Sequence, residues 1–245
     1  MKKQLLVVVL VALCAASYAQ TVLPSNMRAQ NTLQQLDAIS TNKDILYGIP
    51  MPPPQVIGDT YYKLYWSPTS LLLYTDKMVE GFPARYDIYA DEVELRGKNG
   101  VRVMPSKLIK SFVWIDSVSK EPTYFVNAKD FLTESKAPLK GFFEVMAEGS
   151  VTLLKRMTVY VKKADYNAVL NVGNRDDKIM KESTLFYLKG STALEVPSSK
   201  KKLLPVFGDK ATAVEQYIKE KDLSLSKEND LKSVFAYYNT LVASN

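Results

Sequence analysis

GFFEVMAEGSVTLLKRMTVYVK, residues 141–162, decides the fold class of this chain. From Val151 onward, Val151, Leu153, Met157, Val159 and Val161 share one parity, while Thr152, Arg156, Thr158, Tyr160 and Lys162 share the other. That alternation is the signature of a strand with one buried face. Just before it, Phe143, Val145 and Ala147 alternate with Glu144, and Glu148-Gly149-Ser150 supplies a turn, so the two arms are expected to fold as a β-hairpin. Phe142, Phe143 and Met146 also fit one turn of helix, so the first arm is the weaker of the two.

Upstream of the hairpin the chain reads as further strands. Leu71-Leu72-Leu73-Tyr74, Arg85-Tyr86-Asp87-Ile88-Tyr89, Val93-Glu94-Leu95-Arg96, Val101-Arg102-Val103, Phe112-Val113-Trp114-Ile115 and Thr123-Tyr124-Phe125-Val126 are β-branched and aromatic runs separated by turn residues. Between Leu95 and Val101, Asn99-Gly100 is a hairpin signal. Downstream, Asn174-Arg175-Asp176-Asp177 reads as a loop, Thr184 to Leu188 as a strand, and Ala193 to Val196 as a short last one. The end of the chain turns helical. Leu231, Val234, Phe235, Tyr238, Leu241 and Val242 recur at helical spacing behind Ser226 as N-cap. Asp209 can cap a helix carrying Val214, Tyr217 and Ile218, with Glu215 and Lys219 paired four residues apart, and a shorter turn falls near Lys201 to Leu204. The expected class is α+β: an antiparallel meander, sandwich or partly closed barrel, over 59–196, with two to three helices over 197–245 packed on it.

The N-terminus has another character. Met1-Lys2-Lys3, an apolar run from Leu5 to Ala16, and Ser17-Tyr18-Ala19 before Gln20 follow the basic, apolar, small-x-small order of a secretory signal peptide over 1–19. The run is short for a bilayer span, which a retained anchor would need. Leu13 is bulky for lipoprotein processing at Cys14, so cleavage after Ala19 is expected, and it removes the single cysteine. Residues 20–58, polar and carrying Pro52-Pro53-Pro54, read as an arm or linker. Without Lys2 and Lys3, 30 of the 32 basic residues remain against 26 acidic ones, a net charge of about +4. That excess is dispersed apart from Lys200-Lys201-Lys202, which argues against nucleic acid as a partner.

Several chemistries are excluded by composition. There is no histidine, which removes Ser-His-Asp and Cys-His machinery, histidine bases and histidine metal sites. No Gly-rich phosphate cradle occurs, and no cofactor or catalytic set is expected. What remains is a carboxylate pair among Asp87, Asp91, Glu92 and Glu94, a Ser-Lys dyad at Ser117 and Lys120 or Ser199 and Lys202, and an oxygen-ligand calcium loop at Asn174, Asp176 and Asp177. Solvated turns and strand exteriors explain each of these more simply. The candidate binding surface is the aromatic group Tyr61, Tyr62, Tyr65 and Trp66, suited to stacking on a sugar or packing at a protein interface, with filling the edge of the core as the competing role.

The Ala19-Gln20 junction, Arg85-Tyr86-Asp87-Ile88-Tyr89, the 141–162 hairpin and the tail from Lys202-Leu203-Leu204 to Tyr237-Tyr238-Asn239 together resemble a broad set of exported Bacteroidota proteins of unknown function. The resemblance implies an exported β-rich domain with C-terminal helices and carries no site residues. The reading is an exported, non-enzymatic protein of the periplasm or cell surface that binds or assembles with an envelope protein or glycan. The alternatives are a histidine-free glycan hydrolase using two carboxylates and a carrier of a small apolar ligand.

Overall fold

The 141–162 hairpin forms as expected. β8 (Phe142–Ala147) and β9 (Leu153–Lys162) pair antiparallel with Glu144 opposite Lys155, and a bulge interrupts the register between Val145 and Ala147. The computed structural model describes residues 54–134, 138–167 and 169–243. The signal peptide, Cys14, and all but the last residues of the arm (54–58) lie outside them. No helix among the described residues is long and apolar enough to cross a membrane.

Around the hairpin run β1 (Val56–Ile57), β2 (Ser67–Leu73), β3 (Met78–Asp87), β4 (Glu92–Gly97), β5 (Gly100–Pro105), β6 (Ile109–Ile115), β7 (Pro122–Asn127), β10 (Asp177–Lys189) and β11 (Thr192–Glu195). The sheet path is β1-β10-β9-β8-β7-β6-β2-β3-β4-β5, with β11 added to β10. It is one open sheet, α+β in class once the helices are added. It departs from a single meander in two ways. The strands β2 to β5 and β6 to β10 form two meanders joined where β6 returns to pair with β2, and β1 pairs with β10 in parallel, which makes the sheet mixed.

The β2 to β8 half of the sheet curls. Tyr86 on β3 meets Phe142 on β8 at 5.3 Å between ring centres although β7, β6 and β2 lie between the two strands. A flat sheet would hold those strands about 19 Å apart at the usual strand spacing. The connection from β5 to β6 gives the same answer: only Ser106–Leu108 separate them, a reach of about 14 Å fully extended. The curl closes over Leu71, Val93, Ile109, Phe112, Trp114, Phe125 and Phe142, with Phe112 stacked on Phe125 at 4.4 Å.

Directly opposed residues on neighbouring strands share a face. The row Phe112, Phe125, Glu144, Lys155, Leu185 therefore runs across β6 to β10 on one side of the sheet. Its left end belongs to the curled aromatic core. Its right end belongs to a second core, where Leu153 and Leu185 meet Leu203, Phe207, Val214, Ile218, Leu231, Val234 and Phe235 from the helices. Those helices are α1 (Lys200–Leu203), a 3-10 run Leu204–Lys210, α2 (Ala211–Glu220) and α3 (Glu228–Ala243). The charged pair in the middle of the row marks the seam. On the other face, Phe143, Leu154 and Phe186 form a smaller cluster with Ala128 and Ala193.

Candidate binding surface

The four aromatics singled out in the sequence divide among three environments. Tyr62 turns inward, edge-on to Trp114 at 5.6 Å and Phe125 at 5.1 Å, and its hydroxyl donates to Glu144 at 2.8 Å. Burial, then the Glu144 charge, raises its pKa. Tyr65 donates its hydroxyl to Asp116. Tyr61 and Trp66 come together on the outer face of β3 and β4 around two guanidinium groups: Arg85 lies 3.8 Å from the Tyr61 ring centre and 4.7 Å from that of Trp66, and Arg96 lies 4.2 Å from Trp66. Glu94 fixes Arg85 with two hydrogen bonds, at 2.7 and 3.1 Å, and accepts from the Tyr61 hydroxyl. Each ring thus has a cation over one face, an arrangement favourable in itself.

Asp116 supplies a pH prediction. The Tyr65 hydrogen bond, with the Ser119 and Val118 amides, lowers its pKa from 3.8 to about 2. A depressed folded-state pKa means that the unfolded chain binds the proton more readily, so this contribution is full above about pH 4 and is lost as pH falls toward 2. The melting temperature of Asp116→Asn should therefore be flatter between pH 4 and 2 than that of the parent. Parallel curves over that range would show that the carboxylate contributes nothing there.

The remaining polar candidates serve the backbone. Asp87 accepts from the Thr60 hydroxyl and from the amides of Tyr89 and Ala90. Asp91 accepts from Ser106 Oγ at 2.6 Å and, with Glu92, lines a polar recess of about 540 Å³ near Lys129 and Lys140. Lys120 Nζ donates to the Ser117 carbonyl, while Ser117 Oγ donates to the Trp66 carbonyl, so the lysine is not aimed at the serine oxygen. Ser199 is the N-cap residue of α1, and its carbonyl accepts from the Lys202 amide. In the candidate calcium loop, Asp176 accepts from the Gln55 amide, Asp177 from Ala164 and Lys163, and Asn174 from Lys178. No three acidic side chains converge as a metal site among the described residues.

The feature that sequence reading missed lies where the curl opens. Along β3, β4 and β5 the inward side is covered by the core at Tyr86, Val93 and Ala84, and the cover ends at Leu95 and Met104. There Val79, Phe82, Leu95 and Met104 line an open groove of about 610 Å³ whose floor is left low by Gly97 and Gly100. Lys98 and Arg102 are the charged lining residues, no carboxylate lines it, and neither cation has a hydrogen bond or ion pair among the described residues. β5 forms the rim and is the last strand of the sheet. Its backbone pairs only with β4 among the described residues, and Val101 and Val103 are 51% and 53% exposed. Such an edge is a template for another strand. The sequence signal was present: the run Val101-Arg102-Val103-Met104 carries no lysine and no proline to blunt pairing until Pro105.

No family model, curated protein or solved structure matches the chain.

Proposed function

We propose that this chain is an exported, non-enzymatic binding protein that assembles with another component of the cell envelope through the open end of its sheet. The observation that carries the reading is the uncovered β5 edge beside an apolar groove. Exposed apolar side chains beside unpaired strand backbone favour the addition of a partner strand. Export is supported by the Lys2-Lys3, Leu5 to Ala16, Ala19 order of the N-terminus. Binding is favoured over turnover because three of the candidate carboxylates are occupied in the fold: Asp87 accepts from Thr60, Tyr89 and Ala90, Asp91 accepts from Ser106, and Glu94 pairs with Arg85. The gap beside Tyr62, Phe125 and Glu144 is about 10 Å³, too small for a carried ligand at that place in the curl.

The test is a photo-reactive residue at Val103 in cells producing the full chain. It should give a discrete adduct that is abolished by Val101→Lys, because a lysine on the edge opposes strand pairing. The same probe at Gln216 on α2 should give none. An adduct indifferent to Val101→Lys, or equal yields at both positions, overturns the reading.

A further inference from the structure

The groove and the edge together specify what the partner presents, an inference that rests on the binding reading above. A strand added to β5 continues the alternation of its neighbour, so partner residues opposite Gly100, Arg102 and Met104 face the groove and those opposite Val101 and Val103 face outward. The groove side offers three different environments. Gly100 and Gly97 are paired across β4 and β5 and leave a space without side chains. Arg102, opposite Leu95, is a cation without a counter-charge among the described residues. Met104 and Leu95 are apolar.

We propose that β5 takes an extended strand of a partner protein that places a carboxylate opposite Arg102, flanked two residues away on each side by large apolar side chains that enter the groove. The carboxylate neutralises the unpaired guanidinium as the added strand shields it from water, which strengthens the pair. One flanking side chain fills the space over Gly97 and Gly100. The other lies on Met104. A second copy of this chain is a poor occupant by the same reasoning. In a two-fold β5 pairing that keeps the groove faces together, both Arg102 side chains come to one face, and no lining residue carries a negative charge.

The probes are two blocked fluorescent peptides, Thr-Leu-Thr-Glu-Val-Phe-Thr and its counterpart with Lys for Glu, titrated into the full chain. The Glu peptide should bind at least about tenfold tighter than the Lys peptide, and Arg102→Glu, at an exposed position, should invert the order. Gly97→Val should weaken the Glu peptide by about tenfold without lowering the melting temperature. A Cβ there meets only Gly100 O at 3.6 Å and Phe82 at 3.9 Å, and valine suits a strand. Equal affinity for the two peptides, binding of neither to the folded protein, or self-association of the parent that Val101→Lys abolishes would each overturn the inference. Its failure is separable from that of the broader reading. A Val103 adduct sensitive to Val101→Lys, with no charge preference between the peptides, removes the acidic strand and leaves the edge as the partner site. Charge-inverting peptides with no cellular adduct remove the envelope partner and leave the strand site.

Discussion

Lys155→Met should destabilise the protein by about 3 kcal/mol, the lower end of the cost of leaving one partner of a buried ion pair uncompensated, because this pair is part-buried. For a domain of this size that corresponds to a fall of roughly 10 °C in melting temperature. Lys155 Nζ sits 2.8 Å from Glu144 and 3.4 Å from Glu228, and the Lys155 and Glu144 side chains are only 14% and 13% exposed. Burial works to lower the Lys155 pKa, but the hydrogen bond and charge of Glu144, then Glu228, outweigh it and leave it above its ordinary value. Without the ammonium, Glu144 keeps only the Tyr62 hydroxyl as a hydrogen-bond donor among the described side chains. Glu228, 39% exposed, stays solvated and adds little to the loss.

The control separates a lost bond from a stranded charge. Glu144→Gln together with Lys155→Met removes both charges and keeps an acceptor for Tyr62, so the double variant should recover to within about 1–2 kcal/mol of the parent. Urea denaturation decides the matter. A loss below about 0.5 kcal/mol for Lys155→Met, the behaviour of an exposed pair, would mean that the seam is wet and the two cores independent. The position of the pair explains why it exists. Glu228 opens the first turn of α3, Ser183 on β10 donates to it, and Tyr62 belongs to the curled half. One lysine thus ties the helix-covered half of the sheet to the aromatic half, where a purely apolar seam would leave their relative register to packing alone.

What could be read in advance, and what could not, follows from sequence separation. The β8 and β9 hairpin, the stripe of α3 and the Glu215–Lys219 pair are local patterns, and all three are present, the last with Lys200 of α1 as an unforeseen third member. The Asn99-Gly100 signal marks the β4–β5 hairpin: Gly97 pairs with Gly100, the loop is Lys98-Asn99, and Gly100 closes it with φ of 109°. Local chemistry misled in other details. Asp209 lies inside the 3-10 run, and Lys210 takes the N-cap position of α2. Ser226 lies one residue too far from α3, which begins at Glu228, and its hydroxyl pairs with Ser224. Pro83 hid the first half of β3, because proline reads as a strand end. Here it faces Pro68 of β2 beside a bulge, where neither missing amide interrupts a regular ladder. Tyr61 and Tyr62 are adjacent in sequence, and only the tertiary fold decides that one meets Arg85 and the other Phe125. The groove was least legible of all, since it depends on β5 ending a sheet whose order no local pattern encodes.

Gly149→Ala should cost about 2–4 kcal/mol, through a contact that the helical stripe of α3 conceals. A Cβ on Gly149 would lie 2.3 Å from Asn239 Cγ, 2.6 Å from its Nδ2 and 2.7 Å from its Cβ. Asn239 stands on the polar side of α3 by sequence, yet it works as a clasp: its Oδ1 accepts from the Val151 amide at 3.0 Å, and its Nδ2 donates to the carbonyls of Val151 at 3.0 Å and Glu148 at 3.2 Å. The alanine forces the asparagine away and strands those backbone groups in the part-buried β8–β9 turn. Asn239→Ala alone should cost about 1–2 kcal/mol for the lost bonds. The double variant should be less damaged than the sum, because the bonds cannot be lost twice, although the Cβ at 239 still crowds the new methyl. Strict additivity would sink the clasp. The turn and the groove sit on opposite halves of the sheet, β8–β9 and β3–β5. Below its lowered melting temperature Gly149→Ala should therefore bind the acidic strand peptide as the parent does, whereas Arg102→Glu should lose that peptide and keep its stability.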